Sequence, residues 1–348
     1  MPSEFEKPTI YEVAERAGVS IASVSRVLQN KPGVSEATRK MITSVMQELG
    51  YVPSNAARGL AGCRAGIIGL IFPDLDDPSM ESGHETLLYF DEIIRGAQRA
   101  ARQEGIAVLI AATHSASGRE LALSIASKVD GLVVMARSVP EVDMRSLATR
   151  IPTVLLAADR HISGVDYLIA DNEGGAAAVT RHLVEYHKYP TVKFIGGPSN
   201  SPDSRARFRG YCKALALANL EVPKSPWMAG DFTEASGRRI AKVILSKGSL
   251  PRSVVVGNDQ MAFGMMKVLI SEGIKVPQEV AITGFDDLPV ARYLQPGLTT
   301  VRQPMRQLGA ESIRLLLVRL GGATSPQSVT LPTELTLRQS CGCVNDDY

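Results

Sequence analysis

The chain has 348 residues, a length that predicts two or three domains of about 100–200 residues each. Hydrophobic residues make up 45% of it, enough for a sizeable core, and the formal net charge is only +2, so no strong basic field points to nucleic-acid binding. The N-terminus holds no apolar signal segment and no apolar run reaches about 18 residues, so we expect a cytoplasmic protein that does not cross a membrane.

The first fifty residues have the pattern of three short helices. Thr9 precedes Glu12 by three residues, which is capping-box spacing, and Gly18 stands where such a helix would end. Ser20 and Ser35 are placed to cap a second and a third helix. The residues on the apolar faces are Ile10, Val13, Ala14 and Ala17, then Val24, Val27 and Leu28, then Ile42, Val45, Met46 and Leu49. The spacing predicts either a helix-turn-helix or a small bundle for protein contacts.

The exposed face of the second helix favours DNA. Arg26 can bridge guanine O6 and N7, and Ile21 and Ala22 suit thymine methyl groups. Short hydroxyls, as on Ser23 and Ser25, bind phosphates without crowding. A surface with so few charged residues is unusual unless a partner docks on it, so we expect this helix to lie in the major groove.

Residues 54–60, SNAARGL, separate the helices from the rest of the chain. Seven residues do not hold a helix alone in water, and Gly59 weakens one by about 1 kcal/mol relative to alanine. The segment is therefore either a helix that orders on binding or a plain linker that ends in an incidental leucine.

From Ala65 onward, apolar runs of strand length alternate with amphipathic helices. The first set of strands covers 66–72, 106–113, 131–136, 152–158 and 167–171, and the second covers 191–197, 253–258 and 279–285. Helices are predicted from about residues 89, 119, 203 and 260. This alternation predicts two lobes, each a parallel sheet covered by helices, with a ligand beyond the carboxyl ends of the strands.

Polar side chains follow several of these strands, and they suit a polyhydroxy ligand because each ligand hydroxyl both donates and accepts. They are Asp159, Asp171, Arg205, Arg207, Asn258, Asp259, Asp286 and Asp287. Asp171, Asp259 and Asp287 each precede a helix and can equally be helix caps. Tyr89, Phe90 and Phe232 can supply apolar faces for a sugar ring or a base.

The run from Thr9 to Leu60 resembles the DNA-binding headpiece of the lactose repressor (LacI) family. The resemblance implies that residues 54–60 form a hinge helix when two subunits meet on the operator, and that Leu60 wedges into the minor groove. Gly59, where the family often has a bulkier polar residue, should make this hinge more reluctant to fold. The candidate DNA contacts are Tyr11, Ser20, Ile21, Ala22, Ser23, Ser25, Arg26 and Asn30 in the headpiece and Asn55, Arg58 and Leu60 in the hinge.

The segments VVGNDQMAFGMM, ITGFDD, GDFTEASG, RFRGY and LTTVRQP resemble the effector-binding core of the same family, which is similar to periplasmic sugar-binding proteins. The resemblance implies that Arg207, Asn258 and Asp286 bind sugar hydroxyls and that Phe232 stacks on the ring. The remaining effector candidates are Asp171 and the pair Tyr89 and Phe90, which resembles the aromatic pair of purine-type members. Residues 73–88 are longer than the usual link between the first strand and first helix, which should reshape one wall of the cleft.

The expected fold class is therefore α plus α/β: a three-helix helix-turn-helix headpiece (1–53), a hinge helix and linker (54–64) and a two-lobed periplasmic-binding-protein-like core (65–348). The N-lobe should comprise about 65–171 plus 302–332, and the C-lobe about 172–301 plus 333–348. No heptad repeat follows LTLRQS, so we expect a homodimer, which matches a palindromic double-stranded DNA operator.

The expected function is a transcriptional regulator, most simply a repressor, controlled by a small effector such as a sugar. A purine, a nucleoside or a protein co-regulator is the alternative, and a sugar-binding transport protein or an α/β enzyme is a remote one. The sequence has no G-x-G-x-x-G after a strand, no phosphate-loop motif, no H-E-x-x-H and no G-x-S-x-G.

We expect no cofactor and no metal, because the cysteines and the five histidines show no ligand spacing. Cys341 and Cys343 are expected to be two reduced thiols on a tail. Disulfide pairing or metal binding by this Cys-Gly-Cys segment is the alternative.

Overall fold

The structure is a computed structural model that describes residues 8–28, 31–51, 64–73, 87–113, 118–158, 162–248 and 250–344. The chain divides into two compact units, residues 1–67 and 68–348. The predicted hinge helix, including Asn55, Arg58 and Leu60, lies outside the described residues, as do residues 74–86 of the long link expected at 73–88.

The first unit contains the three predicted helices, α1 (Ile10–Arg16), α2 (Ile21–Leu28) and α3 (Glu36–Glu48). The capping box at Thr9 is confirmed, because its hydroxyl accepts from the Glu12 amide while the Glu12 carboxylate accepts from the Thr9 amide. Ser35 likewise caps α3 by accepting from the Thr38 amide at 3.2 Å. Val13, Val24 and Ile42 are fully buried, so one side chain from each helix meets in a single small core.

The second unit alternates strands and helices, as the apolar runs predicted. In chain order it contains β1 (Ile67–Pro73), α4 (Leu87–Gln103), β2 (Ala107–Thr113), α5 (Gly118–Ala126), β3 (Gly131–Met135), α6 (Glu141–Ala148), β4 (Thr153–Leu156), β5 (Asp166–Ala170), α7 (Asn172–Arg181), β6 (Val192–Gly196), α8 (Pro202–Leu217), β7 (Met228–Ala229), α9 (Glu234–Ser246), β8 (Ser253–Val256), α10 (Asp259–Ser271), β9 (Ala281–Thr283), β10 (Thr300–Arg302), α11 (Met305–Leu320), β11 (Ser328–Leu331) and β12 (Glu334–Thr336). A π-helical turn, His182–Tyr186, continues α7, and two 3-10 turns cover Pro289–Arg292 and Gln339–Cys341.

Two sheets organise this unit, with strand orders β11-β5-β4-β3-β1-β2 and β7-β6-β8-β9. Neighbours whose register is defined pair in parallel, for example Leu70 with Val133 in the first sheet and Phe194 with Val255 in the second. Strand β3 is buried along its whole length, which explains its continuous apolar sequence. Because parallel strands end at one edge of a sheet, each lobe presents one row of strand-end residues.

The chain returns to the first sheet near its C-terminus. Strand β11 pairs in parallel with β5, with Ser328 opposite Tyr167, and α11 packs beside α4. Strands β10 and β12 form a separate antiparallel pair, and an isolated bridge joins Asp286 to Arg302. Among the helices of the described residues, none combines the length and apolar character that crossing a bilayer requires.

Helices α4 and α11 approach each other at glycines. A Cβ atom added to Gly309 would overlap the carbonyl oxygen of Ile93, and one added to Gly96 would overlap that of Arg306. Gly309→Ala should therefore lower the free energy of unfolding of the core by about 1–3 kcal/mol, because the two backbones must separate. Denaturant unfolding measures the change. Gly321→Ala, at the end of the same helix, is the control and should change stability by less than about 1 kcal/mol; equal losses in both variants would contradict the packing argument.

Candidate functional site

The outward face of α2 carries most of the candidate DNA contacts that the structure describes. Ile21, Ala22 and Arg26 are exposed, while Ser23 and Ser25 are half-buried at the edge of that face. Tyr11, on α1, exposes 68% of its surface. An apolar residue and a tyrosine that remain this exposed in a small helical module leave a surface available for a partner.

Ser20 acts as the N-cap of α2, as its position predicted. Its hydroxyl accepts from the Ser23 amide at 3.2 Å and lies 3.0 Å from the Ser23 hydroxyl. The cap leaves both hydroxyls at the exposed N-terminal end of the helix, where a phosphate oxygen could accept from them. Asn30, Asn55, Arg58 and Leu60 were also predicted to contact DNA, and they lie outside the described residues.

In the core, the carboxyl ends of the strands surround the guanidinium of Arg207. This side chain is 3% exposed; Nε donates to Asn172 Oδ1 at 2.7 Å and Nη1 donates to the carbonyl of Gly257 at 2.5 Å. Nη2 lies 3.4 Å from Asp286 Oδ1. The guanidinium also stacks 3.9 Å from the centroid of the Phe285 ring. These contacts fix the guanidinium from several directions, so Arg207 is pre-organised for a ligand.

Asp286 is the acidic partner of this group. It is 4% exposed, and its Oδ1 accepts from Gln303 Nε2 at 2.6 Å. Burial raises the pKa of Asp286, while the charge of Arg207 and the Gln303 hydrogen bond oppose that rise and Asp203 adds to it. Its backbone has φ 125°, a conformation that residues other than glycine rarely adopt. This strained backbone directs the carboxylate towards Arg207.

The other two C-lobe candidates, Asn258 and Phe232, lie together. The Asn258 amide donates to the carbonyl of Phe232 at 2.9 Å, and its oxygen caps α10 by accepting from the Met261 amide at 3.1 Å. The Phe232 ring lies 5.8 Å from the guanidinium carbon of Arg207. The structure therefore brings together Arg207, Asn258, Asp286 and Phe232, the four residues that the resemblance implied for sugar binding.

Tyr89 is the first-lobe member of this constellation. It lines a small cavity of about 10 Å³, together with Asn172, Asp203, Gln303 and the ends of β3, β4 and β5. Burial raises the pKa of the Tyr89 hydroxyl well above its ordinary value, and the nearby carboxylates of Asp203 and Asp286 raise it further. The hydroxyl therefore keeps its proton at neutral pH and can act as a donor.

Phe90 is placed differently from the prediction, whereas Asp171 adopts one of the two roles that the sequence left open. Phe90 packs in the apolar core of the first lobe, 5.3 Å from the Phe72 ring, because adjacent residues of a helix point to different faces. The structure therefore does not support a stacking role for Phe90. The Asp171 carboxylate caps α7 by accepting from the Gly174 amide at 2.8 Å, which is the helix-cap alternative.

Two further strand-end acids are structural. Asp259 is fully buried and accepts from the Thr300 hydroxyl at 2.5 Å and the Leu288 amide at 2.8 Å. Burial, with repulsion from Asp286, raises the pKa of Asp259. Asp287 pairs with Arg302 at 2.8 Å and Arg338 at 2.7 Å. Both acids fix the loop that carries Asp286 and neither is left for a ligand.

Two residues with unused hydrogen-bonding atoms were not predicted from the sequence. In the described part of the chain, Arg137 Nε and Gln303 Oε1 are buried without a partner. Arg137 lies two residues after the end of β3 and has φ 75°. Burial lowers the pKa of Arg137, while Asp203 opposes that change. Its place after a strand was the signal that could have identified it. A buried donor and a buried acceptor without partners indicate that a polar ligand completes the site.

The C-terminal cysteines are not on a free tail. Cys341 is fully buried and Cys343 is half-buried, because Ser340 donates from its amide to the Gly297 carbonyl and ties the segment to the second lobe. Both sulfurs lie close to His182 and His187, so these residues could hold a metal ion.

Comparisons with known proteins agree with this arrangement. The family model "Bacterial regulatory proteins, lacI family" matches residues 9–54, and "Periplasmic binding protein-like domain" matches residues 180–341. Catabolite control protein A of Priestia megaterium is 31% identical over 339 residues, 95% of this chain and 98% of that protein.

Two solved structures extend the likeness to the fold. The lac repressor dimer bound to operator and the anti-inducer ONPF superposes with a TM-score of 0.79 at 26% identity, covering 97% of this chain and 99% of that chain. The complex of the transcriptional regulator CelR with cellobiose has a TM-score of 0.71 at 29% identity, covering 96% and 100% of the two chains.

Proposed function

Because the chain belongs to the LacI family of bacterial regulatory proteins, we propose that it is a transcriptional repressor whose affinity for operator DNA is set by a small polar effector, most simply a sugar. It acts as a homodimer on a palindromic operator, with one headpiece on each half-site. The relatives named above are regulators, and we propose no catalytic role for the chain.

The exposed face of α2 supports DNA binding. Arg26 is the one basic residue of α2, and it stands among Ile21 and Ala22, which suit thymine methyl groups. The lac repressor dimer, to which this chain is similar over 97% of its length, is bound to operator. We propose that α2 enters the major groove and that Leu60, from the hinge, wedges into the minor groove at the centre of the operator.

The unpartnered atoms at the core site carry the effector proposal. Arg137 Nε is a donor and Gln303 Oε1 an acceptor, and both are buried without a partner among the described residues. A sugar hydroxyl both donates and accepts, so one ligand class satisfies both atoms. The Phe232 ring beside Arg207 provides an apolar face for the ring of a sugar. CelR, a structural neighbour, is in complex with cellobiose.

Binding must move the two lobes or the side chains between them. The cavity has a volume of about 10 Å³, far below the roughly 300–1,000 Å³ typical of ligand pockets. We propose that effector re-seats the two lobes, which shifts the segments that carry the hinges and changes operator affinity. The coupling free energy expected for such a switch is about 1–3 kcal/mol.

A purine or nucleoside effector is the alternative, and Tyr89 favours it. The Tyr89 ring lines the cavity and meets Phe90 edge-on at 5.4 Å. An aromatic ring that borders a cavity with Asp203, Asn172 and Gln303 offers both stacking and hydrogen bonds to a base.

A thermal-shift screen of the full chain against sugars, nucleosides and purine bases tests this proposal. A true effector at 100 times its dissociation constant adds about 2.7 kcal/mol of stability and should also change operator affinity. If a sugar is the effector, Phe232→Ala should weaken its binding by about 2- to 13-fold, equivalent to about 0.5–1.5 kcal/mol of aromatic contact.

Tyr293→Ala is the control for loss of an aromatic ring, because Tyr293 is 75% exposed, and it should leave affinity unchanged. If the chain instead binds a purine base, and this binding is lost in Tyr89→Ala but retained in Phe232→Ala, the effector is a purine and not a sugar. A chain that binds no operator sequence and no compound of the screen would contradict the regulator proposal itself.

A further inference from the structure

Four potential metal ligands meet in the second lobe, away from the effector site. His182 lies in the π-helical turn that continues α7 and His187 follows that turn, while Cys341 and Cys343 come from the C-terminal segment. The ligand atoms of all four residues lie within 4.8 Å of one another. About 155 residues of sequence separate the two halves of the cluster, so only the tertiary fold brings them together.

Three sulfur–nitrogen distances in the cluster are close to those of a tetrahedral metal site. Cys343 Sγ lies 3.3 Å from His182 Nε2 and 3.5 Å from His187 Nε2, and Cys341 Sγ lies 3.7 Å from His182 Nε2. Zinc–sulfur bonds of about 2.3 Å and zinc–nitrogen bonds of about 2.0–2.1 Å place sulfur and nitrogen about 3.6 Å apart on the edge of a tetrahedron. A metal ion at the centre therefore requires only small movements of the side chains.

The surroundings hold both histidine rings in place. The His182 ring stacks on Tyr186 at 5.0 Å, and the His187 ring stacks on Tyr189 at 5.0 Å with an interplanar angle of 7°. Arg252 lies over the other ring of that stack, 4.1 Å from the centroid of Tyr189. Imidazoles whose orientation is fixed by packing lose little freedom when they bind a metal.

The cysteine segment is equally constrained. The Thr299 hydroxyl donates to Cys341 Sγ at 3.1 Å, and the Tyr189 hydroxyl donates to the Cys341 carbonyl at 2.7 Å. Gly342, between the two cysteines, has φ 103°, and a Cβ atom there would lie 2.6 Å from the Tyr189 hydroxyl. Glycine is therefore required for the chain to turn here and direct both sulfurs at the histidines.

We propose that His182, His187, Cys341 and Cys343 bind one Zn²⁺ ion, which fastens the C-terminal segment to the end of α7. Two thiolates and two imidazoles form a closed tetrahedral ligand set of the structural kind, with no open position for catalysis. Binding releases one proton from each thiol, so the two thiolate charges balance the charge of the ion.

The protonation states of these side chains allow a metal ion to replace the thiol protons. Burial, together with His187, lowers the pKa of His182 to about 4, so this imidazole is neutral at physiological pH and its lone pair is free. Burial and the neighbouring Cys341 raise the pKa of Cys343 to about 12, so without a cation the thiol keeps its proton. A divalent cation reverses the second effect, because it stabilises the thiolate.

The metal site is linked to the effector site by one helix. Helix α7 begins at Asn172, which holds Arg207, and its π-helical continuation contains His182. The ten residues between these ends span about 15 Å, so the ion is too far to contact a ligand in the cleft. Its role is to hold the C-terminal segment, whose Ser340 hydroxyl donates to the Ile282 carbonyl at the end of the second sheet.

Metal analysis of the full chain tests the proposal. After loading with Zn²⁺ under reducing conditions and dialysis, the parent chain should retain one Zn²⁺ per chain. Loading with Co²⁺ instead should produce the thiolate-to-cobalt charge-transfer absorption and the intense visible bands of tetrahedral Co²⁺. Added Zn²⁺ should also raise the Tm of the parent.

Cys343→Ser and His187→Gln are the informative variants, because both side chains are only half-buried and their loss should leave the fold intact. Each should lower Zn²⁺ affinity more than about 100-fold, since changes outside the ligand set alone cost about 10- to 100-fold. Neither variant should gain Tm from Zn²⁺. Cys212→Ser removes a half-buried cysteine of α8 that is not in the cluster, and it should behave as the parent does.

Two results would overturn the proposal. One is a parent chain that retains no Zn²⁺ or that shows no thiolate absorption with Co²⁺. The other is a Cys341–Cys343 disulfide in chain that was expressed with added Zn²⁺ and purified without reductant. The two sulfurs would then be bonded to each other and could not bind an ion as thiolates.

Discussion

Arg207→Leu is expected to abolish the response to effector and to lower the free energy of unfolding of the core by about 3–5 kcal/mol. The substitution removes the guanidinium that donates to Asn172 and to the Gly257 carbonyl, and it leaves Asp286 buried beside Gln303. Calorimetric titration of the effector and denaturant unfolding of the same preparations measure the two losses.

The loss of stability should depend on pH. Burial raises the pKa of Asp286, and removal of Arg207 removes the largest opposing effect, so the folded-state pKa in the variant rises further. A carboxyl group with a raised folded-state pKa loses stability as pH rises from its unfolded pKa through its folded pKa. The variant should therefore be less destabilised at about pH 5 than at about pH 8.

A double-mutant cycle separates the charge interaction between Arg207 and Asp286 from the packing lost in Arg207→Leu. Asp286→Asn in the Arg207→Leu background removes the uncompensated charge and should recover about 0.5–3 kcal/mol. Arg209→Leu is the matched control, because Arg209 lies on the same helix and pairs with Glu173 at 3.0 Å on the surface. It should cost about 0–1 kcal/mol and leave effector binding unchanged. Normal effector affinity in Arg207→Leu would contradict the proposed site.

Arg26→Ala is the second substitution with a large expected effect. We expect a loss of about 1–3 kcal/mol of operator affinity at each half-site, because a bidentate contact to guanine disappears. The two half-sites of a palindrome are distant and should add, which gives a total of about 2–6 kcal/mol. The headpiece should stay folded, since Arg26 is exposed and the core residues of α1 to α3 are unchanged.

Binding to a panel of operators with single base-pair changes measures this effect. Arg26→Ala should lose its preference at one base pair per half-site and retain its preferences elsewhere. Lys40→Ala removes an equal charge from the exposed surface of α3, a helix that we do not place in the groove, and it should leave base preference unchanged. A loss of affinity that is uniform over the whole panel would show that Arg26 touches only phosphate.

Features that depend on neighbouring residues could be predicted from the sequence. The caps at Thr9, Ser20 and Ser35 were predicted, because a cap is a hydrogen bond to an amide three residues away. The alternation of strands and helices was predicted for the same reason, since burial of a strand or of one helix face repeats within a few residues. The order of the parallel strands then made it possible to expect Arg207 and Asp286 at one edge of a sheet.

Contacts between side chains that are distant in sequence could be identified only in the folded chain. Tyr89 and Phe90 are adjacent in sequence, yet Tyr89 lines the cavity and Phe90 packs in the core, because the packing of α4 selects which face is buried. The position of Arg137 after a strand was visible in the sequence, but only the structure shows that, among the described residues, Arg137 Nε and Gln303 Oε1 are buried without a partner. The sequence shows no metal-ligand spacing, because His182 and Cys341 are 159 positions apart in the chain and become neighbours only in the fold. Local patterns cannot encode such contacts, because each depends on how two separately formed segments pack against the same sheet.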